Sequence, residues 1–211
     1  MRISVFSDVR LYLVAPHKLK AGRAEDLIAE LASAGVGAFQ LREKDMEAAD
    51  VIRVGTPIAE ACRTAGIPFI VNDRPDIALA LGASGVHLGQ NDVPVNIARR
   101  LLPSGLVGRS IHSNDDLERV LDEDVDYFAA GPVFATPTKP GRPAAGLEYI
   151  EEVAVSVSAT QPWFAIGGIN GKNLPKVIEA GARRIVVVRA VAGAKDPVAA
   201  AARLAGMLAL K

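Results

Sequence analysis

A Gly- and Pro-rich stretch, residues 131–146, carries side chains that suit the binding of an anion. It follows a short apolar segment and contains two hydroxyls and an ammonium, at Thr136, Thr138 and Lys139. Such groups, alternating with backbone N–H groups, are common partners of phosphate and diphosphate. Loops of this length within compact domains are usually functional or disordered, so disorder is the alternative. We interpret the stretch as an anion-binding loop, and we expect Thr136–Gly146 to become ordered as a lid when ligands bind.

A second polar group ends a predicted buried strand, at Gln40-Leu41-Arg42-Glu43-Lys44. Period-two alternation along a strand places Gln40, Arg42 and Lys44 on one side. Two cations and an amide therefore face one point. A solvated charge run is the alternative, but such runs normally lie on exposed helices. Because this one terminates a buried strand, the pattern favours a functional site.

Two carboxylates follow the next two predicted strands, Asp73 in Asn72-Asp73-Arg74 and Asp92 in His87-Leu88-Gly89-Gln90-Asn91-Asp92. Neighbouring strand ends bring these side chains close enough to share one hard cation. Mg²⁺ typically takes one or two protein carboxylates and completes its shell with water and substrate phosphate oxygens. Each aspartate could instead cap the helix that follows it, with Pro94 just inside the helix after Asp92.

The elements that must position these residues form a regular series. Short, nearly continuous apolar strands alternate with amphipathic helices, which predicts a parallel sheet covered by helices. Eight strand and helix units within about 200 residues indicate a single (β/α)8 TIM barrel. An open doubly wound sheet is the alternative, but the first strand lacks the Gly-rich phosphate turn expected of that fold. The predicted strands are Leu11–Val14, Ala38–Leu41, Pro68–Val71, Gly85–Leu88, Leu106–Arg109, Tyr127–Ala130, Trp163–Ile166 and Ile185–Val188.

Further strand ends carry weaker signals. Active groups of such barrels gather where strands end, and phosphates frequently bind after strands seven and eight. Ser110 follows strand five, Gly167-Gly168 follows strand seven, and Val188-Arg189 closes strand eight. The two glycines allow a ligand to approach the backbone, although a tight turn is their ordinary explanation. A second anion site is therefore predicted there.

Several chemistries are not indicated by the sequence. His17, His87 and His112 are dispersed and lack the spacing of a helical zinc pair. Neither a Ser-His-Asp constellation nor a nucleophile elbow is present. The single Cys62 lies in a predicted helix and is expected to be a core residue.

The composition of the sequence constrains the number of domains, the partners and the cellular location of the protein. We expect one domain over residues 1–211, half of whose residues are hydrophobic. Twenty-four basic and 24 acidic side chains cancel, so no global field favours nucleic acid or an anionic membrane as a partner. One cysteine, no signal-peptide pattern and no membrane-spanning run predict a cytoplasmic protein. The sequence leaves self-association into a homo-oligomer open.

With these residues assembled, the sequence resembles the thiamine phosphate synthase family over nearly its whole length. Taken in order and together, the shared motifs are specific. The resemblance implies that 4-amino-2-methyl-5-hydroxymethylpyrimidine diphosphate is coupled to a thiazole phosphate, with release of diphosphate and use of Mg²⁺. The motifs are Gln40 to Lys44, Asn72 to Asp76, Gly85 to Asp92, Gly131 to Lys139 and Ile166 to Ile169.

The resemblance also implies roles for individual residues. Asp73 and Asp92 would bind the metal. Thr136, Thr138, Gly168 and the Val188-Arg189 turn would face the thiazole phosphate, although many members of the family have serine where Arg189 stands. The pyrimidine diphosphate would contact Gln40, Arg42, Lys44, Asn72, Ser110 and Lys139, of which Arg42, Lys44, Ser110 and Lys139 are the expected catalytic residues.

Two other functions are compatible with the fold. A thiazole tautomerase of the same family needs neither diphosphate nor Mg²⁺, and the stretch Gly108 to Ser113 is compatible with it. A catalytically silent ligand-binding relative is the second alternative. Gln40, Lys44 and the two aspartates favour the synthase.

Overall fold

The strands close into a single parallel barrel. The computed structural model describes residues 6–136, 143–157 and 161–209. Each strand pairs with its neighbours in chain order, and β1 also pairs with β8, which closes the barrel. The predicted (β/α)8 architecture is confirmed. The strands are β1 Leu11–Ala15, β2 Val36–Leu41, β3 Phe69–Asn72, β4 Gly85–Leu88, β5 Leu106–Ile111, β6 Tyr127–Ala130, β7 Trp163–Ile166 and β8 Ile185–Val187.

Helices cover the outside of this barrel. A small hairpin of Lys18–Leu19 and Gly22–Arg23 lies between β1 and the first of them. The short α8 begins directly after β8, ahead of the longer C-terminal helix, and the sequence pattern did not predict it. The helices are α1 Ala24–Ser33, α2 Ala48–Ala65, α3 Pro75–Ala80, α4 Val95–Leu101, α5 Asn114–Asp122, α6 Gly146–Ser156, α7 Leu174–Glu179, α8 Arg189–Ala192 and α9 Pro197–Ala209.

Two separate cores follow from the period-two alternation of the strands. Side chains such as Leu13 and Phe39 point outward and join the helices in the larger core. Those of the other parity point into the barrel and form a smaller core with Phe6. Phe6 stacks on Tyr127 with ring centroids 4.3 Å apart and meets Phe164 edge to face. Aromatic rings therefore fill the amino-terminal end of the barrel.

Toward the carboxyl ends of the strands, the inward-facing side chains become polar. Gln40, His87 and Ser110 are all buried although they belong to otherwise apolar strands. Buried polar groups need hydrogen-bond partners, so these residues must be held in a defined arrangement. This end of the barrel is therefore the place to look for a site. Cys62, by contrast, is a buried core residue of α2, as predicted.

Within the described ranges, no helix combines the length and the apolar character needed to cross a membrane.

Candidate active site

The end of β2 delivers the cationic residues to the barrel rim. Gln40 is only 3% exposed. Glu43 turns to the other side, where its Oε1 accepts a hydrogen bond from the His17 backbone N–H at 2.6 Å and contacts the His17 ring Nδ1. Lys44 Nζ lies 3.6 Å from Asp73 Oδ2. The alternation read from the sequence is thus observed, and Arg42 and Lys44 both act electrostatically on Asp73.

Asp73 and Asp92 form a pair of carboxyl groups between β3 and β4. The pKa of Asp73 is raised, first by burial and then by its hydrogen bond to Asp92 and the repulsion of that charge. Lys44 and Arg42 act in the opposite direction. Asp73 also has a backbone φ of 65°, a left-handed conformation that is uncommon outside glycine. Strained backbones and perturbed pKa values both cluster at functional sites.

Neither aspartate caps a helix, so that alternative is wrong. Helix α3 begins after Arg74 and α4 begins after Pro94, in both cases without a side-chain cap. The Asp92 Oδ2 instead accepts a hydrogen bond from the Gly89 N–H at 2.6 Å, which holds the β4 loop in a tight turn. By contrast, Ser113 caps α5, since its hydroxyl oxygen accepts from the Asp116 N–H at 3.2 Å.

The carboxyl pair fits a magnesium ion that draws most of its ligands from elsewhere. In the part of the chain that the structure describes, no group of three or more His, Cys, Asp or Glu side chains forms a metal cage. Mg²⁺ does not require such a cage, because it keeps several waters and commonly uses one or two carboxylates with substrate phosphates. Two adjacent carboxylates with cations beside them meet that requirement.

The repulsion within this pair makes a prediction for stability. A carboxyl group with a raised folded-state pKa destabilises the fold above that pKa, and the penalty disappears as the pH falls through it. We expect Asp92→Asn to lower the pKa of Asp73 and to stabilise the metal-free protein at pH 7 by on the order of 1 kcal/mol, about 2–4 °C in Tm. Thermal unfolding in chelator at pH 7 and at pH 4 measures the effect, which should shrink at pH 4.

Asp76→Asn is the matched control for this measurement. Arg74 lowers the pKa of Asp76, so that carboxylate stabilises the fold above its unfolded-state pKa and the substitution removes a small contribution. Its effect should have the opposite sign and be small, because the ion pair is exposed. A loss of stability in Asp92→Asn at pH 7 would contradict the repulsion.

A cavity of about 290 Å³ opens at the same end of the barrel as the carboxyl pair, at the ends of β5 to β8. Ser110 lies on its β5 side, and the Gly167-Gly168 turn lies on its β7 side. Gly168 has a φ of +68°, and a Cβ there would lie 2.8 Å from the Cβ of Phe134. Only glycine therefore lets the β6 loop cross this turn, where the Phe134 N–H donates to the Gly167 carbonyl at 3.1 Å. The remaining polar lining residues are His112, Thr136, Asn170 and Arg189.

The structure describes only some of the residues that were predicted to bind substrate after strands six and eight. Thr136, Val188 and Arg189 all line the cavity, and Arg189 begins α8 with an exposed side chain. Thr138 and Lys139 lie outside the described residues, as does the rest of the segment 137–142, so the expected lid is not described either. Asn72 ends β3 beside Asp73 on the inward-facing side, partly exposed.

Three residues that the sequence analysis did not assign to the site lie directly beneath it. Tyr12, His87 and Tyr127 are buried inside the barrel and connect Gln40 to Ser110 through hydrogen bonds. The distances in order are 2.6 Å from Gln40 Nε2 to Tyr12 Oη, 3.0 Å to Tyr127 Oη, 3.2 Å to His87 Nδ1, and 2.9 Å from His87 Nε2 to Ser110 Oγ. Their inward parity and polar tips were the signal in the sequence that could have found them.

The fold and the rim define an enzyme class: a (β/α)8 barrel with cations, paired carboxylates and a glycine-lined cavity at the carboxyl ends of its strands. The family model described as thiamine monophosphate synthase matches residues 11–191, and the chain belongs to this family.

Individual relatives agree with this assignment. The chain is 47% identical to the thiamine-phosphate synthase of Mycolicibacterium vanbaalenii over 94% of its length and 93% of that protein. It is 54% identical to the thiamine-phosphate synthase of Thermus thermophilus over 81% of its length and 82% of that protein. Among solved structures, thiamine phosphate pyrophosphorylase from Pyrococcus furiosus superposes with a TM-score of 0.87 at 30% identity, covering 98% of each chain. The predicted family and its transferase function are confirmed, whereas the expected cytoplasmic location stays a prediction and self-association stays open.

Proposed function

We propose that this barrel couples 4-amino-2-methyl-5-hydroxymethylpyrimidine diphosphate to a thiazole phosphate with the help of Mg²⁺, and that the two substrates occupy different sectors of the rim. The diphosphate lies over β2 to β4, where Arg42, Lys44 and the two aspartates meet. The thiazole phosphate lies in the cavity over β6 to β8. Ser110, on β5, stands between the two sectors. The observation that supports this division is the carboxyl pair with Lys44 3.6 Å away, beside a cavity that contains no carboxylate among its described lining residues.

The reaction needs charge neutralisation more than it needs an enzymic nucleophile. The thiazole nitrogen forms a bond to the pyrimidine methylene carbon while the bond from that carbon to the diphosphate oxygen breaks, and the diphosphate leaves with the electron pair. Positive groups that are already in place stabilise such a leaving anion without reorganisation. Arg42 and Lys44 supply two positive charges on the side from which the diphosphate departs.

Asp73 and Asp92 would hold the metal, and the bound ion would neutralise part of the diphosphate charge. The strained backbone of Asp73 and the hydrogen bond from Gly89 to Asp92 fix the two carboxylates in place before any ligand arrives. Lys44, which pairs with Asp73 in the free protein, is then in position to contact a phosphate oxygen as well.

On the other sector, backbone groups and small residues suit a thiazole phosphate. The Gly167-Gly168 turn and the Val188-Arg189 turn bound the cavity. The absence of side chains at the glycines leaves backbone exposed for close approach. Arg189 would provide a guanidinium capable of gripping phosphate at two points, in a position where serine is frequent in the family.

Incubation of the purified protein with both substrates and Mg²⁺, followed by mass measurement of thiamine phosphate, tests the proposal directly. We expect product only when both substrates are present, and a large loss of product in chelator. Isomerisation of a thiazole carboxylate phosphate, with no coupling under the same conditions, would contradict the synthase and favour the tautomerase.

His112 lies in the stretch that is compatible with a tautomerase, so its contribution to coupling is worth testing separately. Its ring Nδ1 lies 2.5 Å from the Gly131 carbonyl oxygen and its backbone N–H donates to Asp116, so its contacts hold the start of the β6 loop. We therefore expect His112→Ala to keep most of the coupling activity, within about tenfold of the parent. Steady-state turnover measured alongside thermal unfolding checks this. Loss of all coupling in a folded variant would assign His112 a direct role.

A further inference from the structure

The buried hydrogen bonds beneath the rim form one continuous chain across the barrel. It runs from Gln40 through Tyr12, Tyr127 and His87 to Ser110. Both tyrosines are 0% exposed, and Gln40, His87 and Ser110 are at most 6% exposed. Burial raises the pKa of both tyrosines well above the ordinary value. Each phenol therefore keeps its proton and has one hydrogen bond to donate.

Space for this chain depends on a glycine in the middle of β5. A Cβ at Gly108 would lie 2.2 Å from Tyr127 Cζ and 2.6 Å from His87 Nδ1. No other residue type leaves room for the Tyr127 hydroxyl to reach the imidazole. The barrel interior is thus shaped around this hydrogen-bond chain, not merely around apolar packing.

Each of the four hydrogen bonds in this chain has one proton, so all four must donate in the same direction. Because Gln40 Nε2 donates to Tyr12, the Tyr12 hydroxyl is satisfied only if it donates onward to Tyr127. Any reversal within the chain leaves a buried donor without an acceptor, which is costly.

The same direction continues to the serine. Tyr127 then donates to His87 Nδ1, and a neutral imidazole must carry its proton on Nε2, from which it donates to Ser110 Oγ. The Ser110 hydroxyl proton is left to point to a ligand acceptor, and Gln40 is left with its amide oxygen as an acceptor and its second Nε2–H as a donor.

We propose that Tyr12, Tyr127 and His87 are positioning residues that lock the donor and acceptor pattern which Gln40 and Ser110 present to the substrate. This inference rests on the proposed function, with both end residues in contact with the pyrimidine substrate as the family resemblance implies. The Gln40 amide oxygen accepts from an exocyclic amine, and its second N–H donates to the ring nitrogen beside that amine. A donor at Ser110 matches a ring nitrogen or a phosphate oxygen. A 4-oxopyrimidine has the inverted hydrogen-bonding pattern, and binding it would require the Gln40 amide to flip. Because that flip would reverse every hydrogen bond from Gln40 to Ser110, the buried hydrogen-bond chain selects the 4-aminopyrimidine.

The first test needs no enzymatic activity. The protein has three histidines, so ¹⁵N labelling of the histidine rings gives few signals, and their loss in His87→Gln identifies those of His87. Should His87→Gln fail to fold, the signals that shift in Tyr127→Phe identify His87 instead. We expect His87 to be protonated on Nε2 alone. Protonation on Nδ1, or on both nitrogens, would overturn the assigned direction.

The second test measures discrimination. Tyr127→Phe removes one hydroxyl but keeps the ring that stacks on Phe6. We expect the preference for the 4-amino over the 4-oxo pyrimidine diphosphate, measured by competition, to fall at least about tenfold. Tyr12→Phe and the double variant should show the same preference as Tyr127→Phe, because one break already uncouples the two ends.

Phe164→Leu is the matched structural control. Phe164 belongs to the same aromatic cluster, with its ring centroid 5.8 Å from that of Tyr127, but its side chain can make none of these hydrogen bonds. It should lower Tm and leave the preference unchanged. An unchanged preference in Tyr127→Phe, or an equal fall in Phe164→Leu, would overturn the positioning role. A parent protein that couples neither pyrimidine would contradict the proposed function instead, and the histidine tautomer would still test the chain.

Discussion

Asp73→Asn is expected to lower the turnover of coupling at least ~100-fold with the barrel still folded, in line with the loss of electrostatic stabilisation of a leaving anion. Asparagine has nearly the same shape and tolerates the left-handed backbone that Asp73 adopts at φ 65°. The substitution therefore removes the charge without disturbing the turn. Alanine at the same position, or at Asp92, should have an effect of the same order on turnover but adds a change of backbone or of the Gly89 hydrogen bond.

Turnover at saturating substrates, with Mg²⁺ varied, measures this effect. The variant should need much more Mg²⁺ for whatever activity remains, because half of the carboxyl pair is neutral. Asp76→Asn, three residues along the same segment and ion-paired with Arg74, should keep parental turnover. Parental activity of Asp73→Asn in the presence of chelator would contradict the proposal that Asp73 binds a metal ion needed for coupling.

Lys44→Gln is expected to have the second large effect, a fall of roughly 100-fold in kcat/KM for the pyrimidine diphosphate. The side chains of Lys44 and Asp73 are 52% and 26% exposed, so their ion pair is partly open to solvent. Such pairs contribute little to stability, so the fold should be unaffected. The loss would come from a missing positive charge beside the departing diphosphate.

The effect of Lys44→Gln should differ between the two substrates, which makes this prediction specific. The KM for the thiazole phosphate should change little, because that substrate is proposed to lie on the other sector of the rim. Lys44→Arg should restore part of the activity by returning the charge with a different geometry. Lys176→Gln, at an exposed lysine of α7, is the control for a general loss of positive charge. An equal loss toward both substrates would argue against a specific contact with the diphosphate.

The sequence predicts the barrel well because its signal is repetitive. Strands such as Leu11–Ala15 are buried along their whole length, and a strand covered on both faces has no polar position to confuse the pattern. The four-residue helix Arg189–Ala192 was missed, since one turn of helix has no period to detect. Alternation also placed Gln40, Arg42 and Lys44 on one side, because that depends only on strand geometry.

What the sequence could not provide is the pairing of side chains from distant strands. Tyr12 and Tyr127 look like ordinary core aromatics until the closed barrel brings their hydroxyls to 3.0 Å. His87 was set aside because its spacing fits no metal site, while its actual partners lie on β5 and β6. The reading of Asp92 as a helix cap failed for a local reason, since its carboxylate is taken by the Gly89 N–H before the helix begins.

The seam between β1 and β8 has a consequence for how the molecule folds. Leu11 lies opposite Ile185, so this one pair of neighbouring strands joins the two ends of the chain, whereas other neighbouring strands of the barrel are close in sequence. The entropy lost in closing a loop grows with its length, and long-range pairings slow folding. Arg10 and Arg184 reinforce the seam by donating to the carbonyls of Leu208 and Ser7, respectively. In the chain-entropy account, a covalent link across this seam constrains the unfolded chain more than the same link across any other pair of adjacent strands.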